Sequence, residues 1–455
     1  MSDLDAFLTD VTAAIGARHV LTDPEVTAGQ ARDWTGRWQG TTPAVLRPGS
    51  TDEVAEVVRA AARHGVALVP QGGNTGLVAG ATPHAGEVVL DLRRLDELGE
   101  VDQPAGQVTV GAGATLAAVQ AHVRPTGLMV PVDLASRDSA TIGGMVATNA
   151  GGTRVIRWGG MRRHVLGLTA VLGTGAVVRV NPAGLLKDNT GYDLAGLLCG
   201  SEGTLGVVTE VRLALVPAPA HRVVALLGFA DARTMVAAVP VLRAAPGLSA
   251  LEAMRGSGLE LVAGHLGASV PLAPVPKWAL LVELAGAGDL TGPLAAALDE
   301  LGDAVTATAV ADDPTGAAGL WRWRESHTEA IAALGPAHKA DVTVPLGAMA
   351  GFLDEVPAVV RAVAPAATVV LFGHLGDGNI HVNVVGPDPA DHSVLDAVFE
   401  AVVAAGGSVS AEHGVGVAKR HWLARQRGEE AVAAMRAVKA ALDPAGILNP
   451  HVLLP

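Results

Sequence analysis

The chain has 455 residues, of which 49% are hydrophobic and 3% aromatic, so it has material for more than one aliphatic core. Its formal net charge of −13 disfavours a general role in binding nucleic acid, which requires basic surface. The single cysteine, Cys199, excludes an internal disulfide, and no uncharged apolar run reaches the ~18 residues of a membrane span.

The N-terminal third predicts a helix followed by a β-α-β unit. Ser2 can cap a first helix, because apolar residues follow it at helical spacing. Residues 44–69 predict strand, helix and strand. Ser50 opens the helix of this unit with Glu53 as the partner of a capping box, and Gly65 ends it. The unit leads directly into a glycine-rich loop.

The rest of the chain predicts a mixed α+β organisation with a boundary near the proline pair of residues 217–219. Helical signals begin at residue 115 and recur in alanine-rich segments after residue 220. Strands are predicted at residues 88–90, 107–110, 177–180, 205–215, 223–227, 279–283, 368–372 and 380–385. We therefore expect domains at 1–216 and 217–410, and a C-terminal segment at 411–455 that completes the active site.

Three clusters of glycine and other small residues lie within the first 210 positions, at residues 72–76, 141–152 and 200–206. Each cluster alone fits either a tight turn or a close approach of backbone to a ligand. Neither a dinucleotide fingerprint nor a phosphate-binding lysine loop is present. Three such clusters beside strand signals favour a long ligand that contains a pyrophosphate.

A hairpin with two histidines is the most informative stretch of the second half. Residues 376–379 predict a turn, after which His381 and Asn383 alternate with apolar residues and so share one face. The turn brings His374 back beside them. Two imidazoles can bind a metal with a carboxylate as third ligand, although histidines in hairpins are more often satisfied polar residues.

Two cations lie upstream of this hairpin. A helix is predicted to begin at Trp321, and the four-residue spacing places Arg324 and Thr328 on one face of it. Lys339 precedes a predicted strand at residues 340–342. The periodicity alone fits a solvated helix face, with Arg322 at the surface, as well as it fits an anion site.

Together these motifs resemble the FAD-binding superfamily of vanillyl-alcohol oxidase and p-cresol methylhydroxylase (PCMH). The similarity is greatest to the branch that holds D-2-hydroxyglutarate dehydrogenase, D-lactate dehydrogenase and the glycolate oxidase flavoprotein subunit. It extends from about residue 35 to the C-terminus and is carried by residues 70–77, 131–134, 142–152, 157–168, 187–194 and 200–209. The resemblance implies an α+β fold: a two-subdomain PCMH-type FAD-binding domain, a cap domain with an antiparallel sheet for the substrate, and a C-terminal helical segment that returns to the flavin.

The resemblance also implies non-covalent FAD, because Asn74 stands in the loop where relatives with a linked flavin carry histidine. Ala135, Ser136 and Met145 depart from the usual residues of the branch. The residues assigned to the flavin are Pro70, Gln71, Gly72, Gly73, Asn74, Thr75, Gly76, Leu77, Pro131, Asp133, Leu134, Ser136, Gly143, Gly144, Ala147, Thr148, Asn149, Gly151, Gly152, Gly206, Val207 and Asn449.

For the substrate, the resemblance implies oxidation of a small anionic D-2-hydroxy acid to the 2-keto acid, with hydride transfer to flavin N5. Its substrate residues are Arg324, Thr328, Lys339 and Asn383. Its metal ligands, for Zn²⁺ or a similar divalent ion, are His374, His381 and Glu412. His413 is the expected base.

D-2-hydroxyglutarate is the preferred substrate, because a second carboxylate needs a second cation. A D-lactate or glycolate dehydrogenase, an electron-relaying flavin subunit and a metal-dependent hydrolase without flavin are the alternatives. We also expect an electron acceptor (a transfer flavoprotein, a quinone or a cytochrome), no nucleic-acid partner and no transmembrane segment. A cytoplasmic location is expected, with membrane contact only through the acceptor, and a homodimer is compatible with the sequence.

Overall fold

The computed structural model describes residues 2–455. Its α-helices are α1 Asp3–Ile15, α2 Pro24–Gln30, α3 Thr51–His64, α4 Leu116–Val123, α5 Ile142–Thr148, α6 Val155–Trp158, α7 Leu194–Leu198, α8 Ala232–Ala237, α9 Val239–Ala244, α10 Gly256–Leu266, α11 Thr291–Leu301, α12 Pro314–Glu325, α13 His327–Ala332, α14 Leu346–Val363, α15 Ser393–Ala404, α16 Leu423–Arg427 and α17 Glu429–Leu442. Its strands are β1 Val20–Leu21, β2 Val45–Leu46, β3 Leu68–Gln71, β4 Val88–Asp91, β5 Leu98–Asp102, β6 Gln107–Gly111, β7 Leu128–Met129, β8 Val165–Val171, β9 Val177–Val180, β10 Val207–Ala214, β11 Val216–Pro217, β12 His221–Phe229, β13 Leu248–Arg255, β14 Trp278–Gly286, β15 Ala307–Ala311, β16 Ala337–Thr343, β17 Thr368–His374 and β18 Asn379–Val385.

These elements form two compact units. Unit 1 contains residues 1–152, 158–217 and 412–455, and unit 2 contains residues 153–157 and 218–411. The C-terminal segment is therefore part of the same unit as the glycine clusters. The expectation that this segment completes the active site stays a prediction.

Unit 1 contains two main sheets. The first has the order β1-β2-β4-β3, in which β4 pairs in parallel with both β2 and β3, and helices α1 and α3 cover it. The second is antiparallel with the order β5-β6-β10-β8-β9 and packs against α4 and α5. The predicted β-α-β unit is present, and β4 fills the space between its two strands.

Local sequence chemistry explains the ends of the first helices. Ser2 and Asp5 cap α1 reciprocally, each side chain accepting a hydrogen bond from the backbone N–H of the other. Ser50 caps α3 by accepting from Glu53 N, and Gly65 ends the helix in the left-handed conformation. The capping box predicted at Ser50 is half wrong, because the Glu53 carboxylate binds Gly49 N instead of Ser50 N.

Unit 2 is built on one antiparallel sheet with the order β15-β12-β14-β13-β17-β18-β16. Helices α10, α12 and α13 pack on one face, and the side chains between them and the sheet form an aliphatic core with Trp323 and Phe372. Helices α8, α9, α14 and α15 pack on the elements of the other face. Strand β13 was not predicted from the sequence.

The helix predicted to begin at Trp321 begins at Pro314 and ends at Glu325. Ser326 separates it from α13, so Arg324 and Thr328 lie on different helices, and the predicted shared face is wrong. Arg324 is buried, whereas Thr328 is exposed. Asp313 explains the earlier start, because its carboxylate accepts from the N–H groups of the first turn and a proline follows it.

Candidate active site

The three glycine clusters lie side by side in unit 1. A Cβ on Gly73 would lie 1.8 Å from Ser139 O, so the first cluster packs backbone against backbone on the segment that opens the second. The N–H of Glu202, in the third cluster, donates to Ala147 O of the second at 2.8 Å. The fold thus brings together segments that are up to 130 residues apart in sequence.

The first cluster forms a cradle of backbone N–H groups. Within residues 2–455, the N–H groups of residues 73–77 make no hydrogen bond to protein, although most of this loop is half-buried. Asn74 lies in the left-handed region with φ 51°, and its side chain donates to Arg32 O. A run of backbone N–H groups in a glycine-rich turn can bind a phosphate, and the assignment of this loop to a pyrophosphate stays a prediction.

Other predicted flavin residues lie in the same unit. Gly152 lies at φ 99°, where a Cβ would lie 2.0 Å from Asp133 O, so that position requires glycine. Asn149, also left-handed, accepts from Arg162 N through Oδ1 at 2.9 Å. Asn449 donates through Nδ2 to the carbonyls of Gly80 and Glu202, both at 2.8 Å. These three residues, from distant parts of the chain, therefore all belong to unit 1.

A few predicted flavin residues serve the protein's own structure. The carboxylate of Asp133 pairs with Arg137 and accepts from Gln120. The side chain of Gln71 donates to the carbonyls of Gln30 and Ala81. Val207 begins β10 and is buried in the core. Their assignment to the flavin stays a prediction.

The loop that carries Glu412 and His413 is held by a residue that the sequence reasoning missed. The carboxylate of Glu202 accepts from Val415 N at 2.8 Å and from Gly416 N at 2.7 Å. Glu202 itself has φ 52°, which is strained for a residue with a side chain. Burial raises the pKa of its carboxyl, although the two N–H groups oppose that shift. Glu412 accepts from Gly152 N at 2.6 Å, so the loop is tied to the second cluster as well.

In unit 2, one face of the sheet carries a row of polar side chains, which we call the polar face. Strand pairing sets Glu252 opposite His374, His381 opposite Asp341, and Asn383 opposite Lys339. Directly opposed residues of antiparallel strands point to the same side, so these six side chains share the face. The rings of His374 and His381 lie 5.2 Å apart between centroids. The predicted hairpin is therefore present, with both imidazoles on one side.

Glu252 joins two of the predicted site residues. Its Oε2 accepts from Arg324 Nε at 2.7 Å, and its Oε1 lies 2.6 Å from His374 Nδ1. Burial would raise the pKa of the Glu252 carboxyl, but His374 and Arg324 outweigh that effect and hold it below the usual value. The carboxylate is therefore charged. The sequence signal was a single acidic residue between apolar residues of this strand, because a buried charge must have partners.

The second imidazole has its own carboxylate. Asp341 Oδ1 lies 3.3 Å from His381 Nδ1 and also accepts from Asn379 Nδ2 at 2.8 Å. Burial lowers the pKa of His381, against the opposing effect of Asp341. A neutral imidazole that meets a carboxylate through Nδ1 presents Nε2 to a metal or a substrate.

An aromatic layer lies beneath Arg324. The guanidinium carbon of Arg324 lies 4.5 Å from the centroid of the Phe372 ring, which also contacts His327 and His381. His327 is fully buried, and its Nδ1 donates to Trp323 O. Burial, reinforced by Arg324, lowers the pKa of His327 to about 4. Arg324 is thus the cation of this layer.

The metal expectation is not shown by the geometry. Among the described residues no group of three or more histidine, cysteine, aspartate or glutamate side chains forms a metal-binding arrangement. No helix among those residues meets the length and hydropathy of a membrane span.

Comparison with known proteins agrees with this architecture. Residues 42–181 match the family described as FAD binding domain, and residues 218–453 match the family described as FAD linked oxidases, C-terminal domain. Among solved structures, p-cresol methylhydroxylase with bound substrate is similar at a TM-score of 0.79 and 16% identity, covering 99% of this chain and 96% of that one. The 4-ethylphenol oxidase from Gulosibacter chungangensis is similar at a TM-score of 0.77 and 18% identity, covering 100% and 98%.

Curated relatives are more similar in sequence. The D-2-hydroxyglutarate dehydrogenase of Xanthomonas citri pv. viticola is 39% identical over 99% of this chain and 97% of its own length. The mitochondrial D-2-hydroxyglutarate dehydrogenase of Bos taurus is 40% identical over 96% of this chain and 81% of its own length.

Fold, cradle and family matches together define an FAD-dependent dehydrogenase, and they confirm both the predicted fold class and the predicted resemblance. The chain belongs to the FAD-linked oxidase family, as a relative of the D-2-hydroxyglutarate dehydrogenases. FAD as cofactor is confirmed with it.

Proposed function

We propose that this protein oxidises D-2-hydroxyglutarate to the corresponding 2-keto acid and passes the electrons to FAD. The observation that carries the proposal is the polar face of unit 2. It combines two imidazoles with a lysine and lies against a buried arginine, a combination that suits an anionic alcohol. The names of the relatives from Xanthomonas and Bos taurus support the choice of substrate.

Arg324 and Lys339 hold the two carboxylates in this proposal. Glu252 takes Nε of Arg324, so the edge with Nη1 and Nη2 is the part of the guanidinium that can receive a carboxylate in bidentate geometry. Lys339 is half-buried opposite Asn383, whose side chain is on the same face. Asn383 supplies a further hydrogen bond to the substrate, whereas the substrate role of Thr328, which is exposed on α13, stays a prediction. A monocarboxylate such as D-lactate would contact only one of these two cations.

His374, His381 and Glu412 are the residues proposed to hold a divalent metal, Zn²⁺ by preference. Both imidazoles already place Nδ1 against a buried carboxylate, which is the usual support of a metal-bound histidine. A metal at this position would supply Lewis-acid polarisation of the substrate hydroxyl. His413 takes the hydroxyl proton as the general base, because a histidine near neutral pH can accept and release protons.

FAD is held without a covalent link by the three glycine clusters and Asn449. Flavin supplies the hydride acceptor of the reaction. The chain's own contribution is the N–H cradle of residues 73–77 for the pyrophosphate and the closely packed backbone of residues 139–152. Because Asn74 has no nucleophilic side chain, the flavin is expected to leave the protein on denaturation.

The test is anaerobic reduction of the bound flavin by a panel of D- and L-2-hydroxy acids. Bleaching of the flavin absorbance at the lowest concentration by D-2-hydroxyglutarate, with L-2-hydroxyglutarate inactive, is expected. If D-lactate or glycolate bleaches the flavin at a lower concentration than D-2-hydroxyglutarate does, that acid is the substrate instead. If no acid bleaches the flavin, the proposal is overturned. Chelation tests the metal separately: loss of turnover with an unchanged flavin spectrum is expected, and full activity of the metal-free protein excludes the metal.

The remaining expectations concern partners. The electron acceptor is proposed to be a transfer flavoprotein, a quinone or a cytochrome, and purified candidates can be compared as oxidants of the reduced flavin. A homodimer and a cytoplasmic location stay predictions. The relative from Bos taurus carries the word mitochondrial in its name.

A further inference from the structure

Glu252 is a buried carboxylate that the proposed chemistry does not use directly, although it touches two of its residues. It is 0% exposed, with Arg324 Nε on one oxygen and His374 Nδ1 on the other. We infer that Glu252 is a positioning residue that sets the tautomer of His374 and the orientation of Arg324 at the same time. This inference rests on the proposed function, in which His374 is a metal ligand and Arg324 binds the substrate.

The fold holds Glu252 rigidly in this place. It lies near the middle of β13, between β14 and β17, and the pairing with β17 sets it opposite His374. Arg324 reaches it from α12 and is supported from below by the ring of Phe372 at 4.5 Å. Arg324 and His374 are therefore oriented by one group, which itself belongs to a central strand.

The contact between Glu252 and His374 decides which nitrogen of the imidazole carries the proton. A neutral imidazole carries one N–H, and a carboxylate can only accept, so Glu252 holds the proton of His374 on Nδ1. Nε2 then keeps its lone pair, which is what metal ligation needs. Asp341 has the same relation to His381, at the longer distance of 3.3 Å. Glu252 makes the closer contact and is the carboxylate that also faces a substrate-binding cation.

Glu252→Gln replaces one accepting oxygen of the side chain with a donating NH₂ group and changes its volume little. Arg324 Nε can only donate, so the single amide oxygen must face Arg324. The amide NH₂ group then faces His374 Nδ1, which must accept, and the imidazole proton moves to Nε2. The substitution is therefore expected to switch one tautomer while the arginine contact survives.

Glu283→Gln provides a matched control. Glu283 is 3% exposed on β14 of the same sheet, where its partners are Trp321 Nε1 at 2.8 Å and Arg222 Nε at 3.4 Å. It is thus a second buried carboxylate with two donors, one of them an arginine, although both contact the same oxygen, Oε2, and among the described residues no histidine is bonded to it. Any general effect of turning a buried carboxylate into an amide appears in both variants.

The experiment uses the full-length, FAD-loaded protein and two readouts. The first is Zn²⁺ affinity from competition with a coloured chelator. Glu252→Gln is expected to weaken it by roughly 10- to 100-fold, and Glu283→Gln to leave it within about twofold of wild type. The second is the tautomer of His374 in metal-free protein, recorded at a pH at which this imidazole is neutral, from ¹⁵N NMR of histidine-labelled protein with His374→Asn for assignment. Wild type and Glu283→Gln should show the proton on Nδ1, and Glu252→Gln should show it on Nε2.

The two readouts separate this inference from the proposed function. If wild type binds no Zn²⁺, the metal part of the proposed function fails, and the tautomer alone decides the role of Glu252. A His374 proton that stays on Nδ1 in Glu252→Gln overturns the inference, as does unchanged Zn²⁺ affinity in a protein that binds the metal. A shift to Nε2 confined to Glu252→Gln supports it.

Discussion

The buried side chain of His327 predicts how much stability the protein loses in acid. Its ring is 0% exposed, Nδ1 donates to Trp323 O, and within residues 2–455 Nε2 has no hydrogen-bond partner. Protonation would therefore create a buried cation beside Arg324 with no acceptor for its second N–H. That cost appears as a pKa of about 4, against 6.5 for an exposed histidine.

The sign of the pH dependence follows from the two pKa values. Above pH 6.5 both the folded and the unfolded states carry a neutral His327, so the side chain adds no pH dependence there. Between pH 6.5 and 4 the unfolded state takes up the proton and the folded state does not, so stability falls as the pH falls. The pKa difference corresponds to about 3 kcal/mol, lost in full once the pH is below 4.

His327→Asn removes this contribution, because an asparagine side chain does not titrate in this range and keeps an N–H donor for Trp323 O. Urea unfolding at half-unit steps from pH 7.5 to 4.5, followed by tryptophan fluorescence, gives the free energy of unfolding at each pH. Wild type should lose about 2–3 kcal/mol more than His327→Asn over that range.

His265→Asn is the control, because His265 lies near the surface of α10 beside Glu329. It should reproduce the wild-type pH profile. A His327→Asn protein whose stability falls as steeply as wild type would refute the reasoning, because the acid loss would then come from other groups.

Three further substitutions test individual residues. His413→Asn should lower kcat by at least about 100-fold, the usual contribution of a general base, and keep full flavin content. Glu202→Gln should lower the free energy of unfolding by about 1–3 kcal/mol in urea titrations, because Val415 N and Gly416 N donate to different oxygens of the carboxylate and the amide replaces one of these oxygens with an NH₂ donor. Arg324→Lys should raise KM for D-2-hydroxyglutarate by roughly 10- to 100-fold in a dye-linked assay, because an ammonium group cannot serve Glu252 and bind a carboxylate bidentately.

Each of these has a clear contrary outcome. Unchanged kcat in His413→Asn removes it from the base role, and loss of flavin in that variant would indicate a structural role instead. Wild-type stability in Glu202→Gln would show that the loop is held by other contacts. An unaltered KM in Arg324→Lys would show that another residue binds the substrate carboxylate. Arg322→Lys, on the exposed side of the same helix, is the control variant.

Local chemistry alone determined much of this protein. The caps at Ser2 and Ser50, the end of α3 at Gly65 and the alternation after the turn at residues 376–379 all follow from the chain's own short-range rules. The motifs also identified the FAD-linked family, because a flavin needs small residues at many positions. The local pattern around Trp321 allowed more than one helix start, and the start predicted from it was wrong.

Tertiary structure alone decided which side chains meet. Glu252, Asp341 and His327 belong to no motif of the sequence, and Glu202 stands out only as part of the third glycine cluster. The roles of these four residues depend on partners 38 to 214 residues away or on burial. Strand order set Glu252 against His374, and packing rather than periodicity buried Arg324 while Thr328 stayed exposed. A buried charge is acceptable only where the fold supplies its partner, and sequence spacing does not contain that information.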